Sequence, residues 1–306
     1  MVKSKKRSPK SQARPAPVFF TVVQTEAGKS YARLMIDSLR AFGGRFANAP
    51  IWVFSSNPEL MRSLEDDTTR VVPLDASDPL IAYTFGTKVA ACARAEELAP
   101  AGAGSMALID LAFLFVKEPA LFELGSDYDL ALRPVHFRNV GLPPSEPLDV
   151  FWKGIYAAVG VDDISTTTTS FVDGQLLRAY FNVQMFSFNP TLGLMRRWCT
   201  LARQLAGDAQ FQAAACSDEL HQTFLFQALL SAIAASSLKS ERILVLPPAY
   251  GYPCDALDKI PEDRHFAALN DVVCFIAGDR PIRLTAGAGI LVHEPLRSWL
   301  SERAII

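Results

Sequence analysis

The feature that most narrows the fold is the exchange, over residues 18–135, of short apolar segments with amphipathic ones. "VFFTVV" at 18–23 is uncharged, β-branched and aromatic, which predicts a buried strand. "SYARLMIDSLRAFGG" at 30–44 then predicts a helix. Ser30 is placed to cap it, Tyr31, Leu34, Leu39 and Phe42 share a face, and Gly43 ends it. Further strands are expected at 50–55, 69–75, 105–115 and 127–135, with an Ala-rich helix at 87–100 stopped by Pro100. Strands buried on both faces and joined by helices pair mainly in parallel. The expected class is therefore α/β, with a mixed, mostly parallel sheet flanked by helices.

The second half is less regular. After "GLPPSEP" comes an aromatic helix around "FWKGIYAAVG", then "STTTTSF", a polar run suited to a loop or edge strand. A strand is expected at 180–190. A helix is expected from Asn189-Pro190 to about Gly207, with Leu192, Met195, Trp198, Ala202 and Leu205 inward. Residues 217–236 are apolar almost all round and predict a buried helix. Late strands at 242–247, 271–276 and 289–295 precede a short closing helix. No repeat or linker divides residues 18–306, which read as one domain. Residues 1–17 are basic and Pro-rich, with nothing to repay the entropy of ordering, and read as a flexible tail.

Composition excludes several classes. A net charge of −2 gives no general attraction to nucleic acid. No apolar run of about 18 residues predicts a membrane-spanning helix. The five Cys form no C-x-x-C pair and are odd in number, which points to free thiols in a reducing, cytoplasmic setting.

Ligands of open parallel sheets bind beyond the carboxyl ends of the strands. That rule selects Thr21 to Thr25, Ser55, Ser56, Asp110 to Ala112, and Arg133 to His136. Gly28-Lys29-Ser30 lies between a strand and a helix, as a phosphate-cradling loop would. The residue five before Gly28 is Val23, not Gly, so the stretch reads as a turn and helix cap. Asp110 ends an apolar strand, where an acid is costly unless it caps or binds something. It either accepts hydrogen bonds from the backbone that follows, or holds a ribose hydroxyl or a metal.

The ordered set Thr87-Lys88, Leu108-Ile109-Asp110-Leu111-Ala112 with Pro119, Phe181-Asn182-Val183-Gln184, Asp218-Glu219, and the segment from Cys274 to Ile282 with Arg280 resembles the GT-A-fold glycosyltransferases. Among these it resembles especially the glycogenin and galactosyltransferase-like family. The resemblance implies transfer of a sugar from a nucleoside-diphosphate donor to an unidentified acceptor, whether glycan, protein or lipid. It implies a base near Thr21 to Thr25, with Thr21 and Gln24 as donor-binding residues, and a ribose and diphosphate near Lys88, Asp110, Ala112 and Arg280. It places the sugar near Asn182, with Asp218 and Glu219 steadying developing positive charge. Helix capping explains the last two acids equally well.

The departures are informative. The second acid of the family's metal pair is Ala112, its closing His is Cys274, and Gln184 stands in place of a Gly. Ala has no ligand atom, and Cys is a soft ligand for the hard ions concerned. A divalent metal such as manganese is therefore disfavoured and no cofactor is expected. Lys88, Arg133 and Arg280 are candidate replacements for its charge. His293 is a weaker alternative, as a ligand from a later strand. The competing expectation is a binding or scaffold protein that kept the fold and lost the metal.

Overall fold

The computed structural model describes residues 16–276 and 290–305. The chain runs β1 (Val18–Val22), α1 (Glu26–Phe42), β2 (Ile51–Ser55), α2 (Pro58–Met61), β3 (Thr69–Pro73), α3 (Gly86–Leu98), β4 (Met106–Ile109), β5 (Phe113–Phe115) and β6 (Leu130–Pro134). There follow α4 (Val150–Val159), β7 (Thr167–Thr169), β8 (Leu176–Arg178), β9 (Phe181–Phe188), α5 (Leu194–Gly207), α6 (Ala209–Ala215) and α7 (Glu219–Ser237). Last come β10 (Ile243–Val245), β11 (Tyr250–Tyr252), β12 (Cys274–Ile276) and α8 (Leu296–Ser301). The main sheet has the order β10-β6-β9-β4-β1-β2-β3. All its pairs are parallel except those of β9, which runs antiparallel to both β4 and β6. The expected mixed, mostly parallel sheet flanked by helices is present.

Alternation along the strands divides the core. Phe20 of β1 packs into a cluster with Trp152, Phe186 and Trp198 on one face, and Phe19 into a cluster with Met35, Phe115 and Phe122 on the other. A third cluster, including Tyr252, Phe275 and Leu300, lies around the small sheet β11-β12-β5. The indole N–H groups are satisfied, Trp152 Nε1 donating to Val140 O at 2.7 Å and Trp198 Nε1 to Phe226 O at 2.9 Å.

Helix α7 is buried on nearly every side, as its sequence predicts, yet carries Gln227 and Ser231 inside. Their position has a cause. The register of β6 on β9 shifts between Ala131 and Arg133, which disturbs the ladder at the start of β9. There Phe181 N donates to Ser231 Oγ at 2.9 Å and Val183 N to Gln227 Oε1 at 3.4 Å. The helix thus supplies acceptors for strand donors that would otherwise be buried unpaired.

Several sequence expectations are corrected. Helix α1 starts at Glu26, not Ser30, because Thr25 Oγ1 accepts from Gly28 N at 3.1 Å and caps it. The segment 105–115 is two strands in two sheets, broken at Asp110. Helix α5 begins at Leu194, because Asn189 Oδ1 accepts from Thr191 N at 3.1 Å and holds a turn first. Leu192 is therefore 43 % exposed and not inward, whereas Met195, Trp198, Ala202 and Leu205 are buried. Described residues 290–295 form no strand and make a single bridge, Leu291 to Ala268. Most of the tail read at residues 1–17 lies outside the described residues. No helix among the described residues is long and apolar enough to cross a membrane, and all five Cys are buried and unpaired.

Candidate active site

The candidate site forms where β4 stops. Asp110 follows the strand's last residue, and its N–H donates to Gln184 O of β9 at 2.9 Å. Its Oδ1 accepts from Ala112 N at 3.3 Å as the chain turns into β5. This is the turn role that an acid at a strand end predicts. The other oxygen, Oδ2, ion-pairs with the Lys88 ammonium. The two side chains keep 17 % and 15 % exposure, so the pair touches solvent without being immersed in it. In that setting a charge pair is stronger than at an open surface.

The entry to α3 positions Lys88. Phe85 sits in the left-handed region at φ 66°, and Gly86 follows it. Any Cβ on Gly86 would lie 1.7 Å from Leu80 O, so only Gly fits there. The backbone turn brings Lys88 Nζ over the Phe85 ring, 4.5 Å from its centroid, and onto Asp110. Gly28, in the first turns of α1, allows a close approach from the other side, since a Cβ there would stand 3.2 Å from Leu111 Cδ1. The Gly-Lys-Ser stretch is thus helix packed on the Asp110 turn, with Lys29 Nζ paired to Glu26 Oε1 at 2.6 Å.

Asn182 joins this group through β9. Its Oδ1 accepts from Gln184 N at 2.8 Å and its Nδ2 donates to Gln184 Oε1 at 3.2 Å. Lys88, Asp110, Gln184 and Asn182 therefore form one bonded chain across the ends of α3, β4 and β9. Gln184 is not among the candidates the sequence singles out, where it stands only as a departure from a Gly, although its place two residues after Asn182 on a strand puts both side chains on one face.

The remaining candidates are dispersed. Gln24 Oε1 accepts from Ser56 N at 3.1 Å, tying the ends of β1 and β2, while its buried Nε2 has no partner among the described residues. Thr21 lies inside β1 with no exposed surface, so a ligand at the strand end meets later residues. Ala112 is half-buried against the second core cluster. Asp218 caps α7, accepting from His221 N at 3.0 Å and pairing with His221 Nδ1 at 2.7 Å. Those hydrogen bonds hold its carboxyl below the usual range. Glu219 is exposed, and its side chain makes no hydrogen bond or ion pair among the described residues. The start of α7 connects to the Lys88 region through Phe224, whose ring centroid is 6.3 Å from that of Phe85. Arg280 lies outside the described residues.

The described residues do not fit a divalent ion held by acids. No three His, Cys, Asp or Glu among them cluster as ligands. Asp110 is engaged by Lys88, and Ala112 has no ligand atom. The Cys274 thiol is fully buried against Met185 Sδ at 3.3 Å, and burial pushes its pKa up to about 12. His293 is exposed, bonded through its N–H to Asn270 Oδ1 at 2.8 Å.

No protein-family model matches the chain, and no curated protein sequence matches it significantly. Solved structures do. The galactosyltransferase LgtC, in complex with donor and acceptor sugar analogs, aligns over 94 % of this chain and 95 % of its own, at 13 % identity and a TM-score of 0.53. An active-site mutant of LgtC aligns over the same shares, at 13 % identity and a TM-score of 0.52. Mouse xyloside xylosyltransferase 1 in its apo form covers 85 % of this chain and 97 % of its own, at 13 % identity and a TM-score of 0.45. In architecture and in the course of the chain, this protein has the GT-A glycosyltransferase fold.

Proposed function

We propose that the protein moves a sugar from a nucleoside-diphosphate donor to an acceptor, with a lysine in place of a coordinated cation at the leaving group. The observation that carries this reading is the partly shielded Lys88–Asp110 pair at the strand ends of this fold. An ammonium has three N–H donors, and Asp110 occupies one. The others are free to meet diphosphate oxygens, and Asp110 keeps acceptor capacity for a ribose hydroxyl. Fixed charge at that point stabilises the negative charge that grows as the glycosidic bond breaks. Support comes from LgtC, whose structure carries donor and acceptor sugar analogs.

Among the two acids at the start of α7, Glu219 is the better candidate for facing the developing positive charge at the sugar. Both oxygens of Asp218 are engaged by His221, whereas the Glu219 carboxylate is uncommitted among the described residues. Asp218 then acts as a cap that fixes Glu219. The loss of ligand atoms at Ala112 favours the second reading, a binding protein without turnover.

Incubation with a panel of UDP- and GDP-sugars, in the presence of mono- and disaccharide acceptors, tests the proposal by nucleotide release. Release from one donor, stimulated by an acceptor, is expected. Tight nucleotide binding without release from any donor would instead establish the binding protein.

A further inference from the structure

A cavity of about 390 Å³ opens at the carboxyl ends of β6 and β10. Two guanidinium groups line it, Arg133 and Arg264, and no acid among the described residues does. Arg133 is only 2 % exposed. Its Nη1 pairs with His136 Nδ1 at 2.8 Å, while Nη2 is buried with no hydrogen-bond partner among the described residues. Burial and the neighbouring Arg133 push His136 well below its ordinary pKa. The imidazole is therefore neutral and accepts from Arg133, leaving the arginine charge whole. Burial lowers Arg133 to about 9, still charged at neutral pH. Asp255 acts on it through space but does not line the cavity.

A buried cation with an unmet donor is costly unless a ligand completes it. Across the cavity, Arg264 donates to Phe171 O and makes no ion pair among the described residues. Phe171, Leu246 and Pro247 supply apolar wall. Two guanidinium groups lining one cavity beside apolar surface suit an oxyanion carried on a ring, since guanidinium binds carboxylate and phosphate through paired N–H groups.

The cavity is also placed for the reaction. Arg133 lies opposite Asn182 on β9, and β9 lies next to β4, which ends at Asp110. Arg133 and Asp110 are thus two strand positions apart across the sheet and two residues apart along it, about 12 Å between backbones. We infer that this cavity seats the acceptor, and that the acceptor bears an oxyanion, a sugar carboxylate or sugar phosphate, held by Arg133 Nη2 and Arg264. The inference rests on the glycosyl-transfer reading for its role, and on the two arginines for its selectivity.

Titration calorimetry on the full chain, with methyl β-glucuronide, glucose 6-phosphate, methyl β-glucoside and inorganic phosphate, tests it, with UDP titrated separately. At least one anionic sugar is expected to bind about tenfold or more tightly than the neutral glucoside and than phosphate alone. The stronger of the two identifies the source of the oxyanion. Arg264→Gln, at a partly exposed position, is expected to abolish that preference with its circular dichroism unchanged, and Arg133→Gln to do the same if it folds. Equal binding of glucoside and both anionic sugars, no binding of any sugar, or an Arg264→Gln protein that keeps the preference would overturn the inference. Binding of anionic sugars without any nucleotide binding would instead remove the transfer reading and leave the anion pocket standing.

Discussion

At the scale of single residues, the decisive contrast is between Asp218 and Glu219. They are adjacent, yet the first is spent on capping and on His221 and the second is not. Asn is as good a cap as Asp. Asp218→Asn is therefore expected to leave stability within about 0.5 kcal/mol of wild type and to keep most of the turnover, while Glu219→Gln lowers turnover by about 10²-fold with stability unchanged. Paired unfolding and kinetic measurements check both. The reverse pattern would return the chemistry to Asp218. Nothing in the sequence alone separates these two acids, because the difference arises from where His221 falls one turn into the helix. Gln184 is silent in the sequence for a related reason. Its significance depends on Asp110 N–H reaching its carbonyl and on Asn182 reaching its side chain, and neither contact leaves a mark on local composition.

Between elements, two buried or half-buried acids act as fasteners. Glu96, near the end of α3, has a fully buried carboxylate that accepts from Met195 N at 3.1 Å and Arg196 N at 3.0 Å, two donors in the first turn of α5. Helix starts leave such donors unpaired. Removing the acceptor strands both, so Glu96→Ala is expected to cost about 2–4 kcal/mol in denaturant unfolding. The second fastener is Asp129, just before β6. Arg242, just before β10, grips it from Nε at 2.8 Å and Nη2 at 2.7 Å. That hydrogen bonding, with help from Asn189, holds the Asp129 carboxyl below its usual value. A depressed carboxyl contributes stability above its unfolded pKa, near 3.9, and loses it as pH falls through the lower folded value. Asp129→Asn should therefore flatten the stability curve below about pH 4 and change little in the pH dependence at higher pH. Thermal melts across that range check the sign.

The same scale explains how much of the fold was readable. Strands at 18–23, 50–55 and 69–75 and the buried helix at 217–236 were legible because their apolar pattern is continuous and long-range packing agrees with it. Boundaries failed where a side chain overrides propensity. Thr25 caps α1 ahead of Ser30, Asn189 holds a turn where Asn-Pro suggested a helix start, and Asp110 divides one apolar run between two sheets. Arg133 and His136 are legible in the sequence as strand-end residues, but their burial is not, since it follows from the altered register by which Arg133 and Pro134 pair with β9.

Over the whole molecule, the parallel strands of the main sheet end on one side, the antiparallel β9 lies between two of them, and a turn with Phe85 in the left-handed region presents a lysine there. On the proposed function Lys88, rather than a coordinated cation, holds the donor's diphosphate. The most direct measurement is the shift in unfolding free energy on adding UDP or GDP, with EDTA and with manganese, for wild type and Lys88→Ala, each against its own ligand-free state. At about 100 times the dissociation constant, the preferred nucleotide should stabilise the wild type by about 2.7 kcal/mol in EDTA, manganese should add little, and Lys88→Ala should lose most of the effect. Stabilisation that appears only with manganese, a Lys88→Ala protein that binds as well as wild type, or no shift with either nucleotide would contradict it.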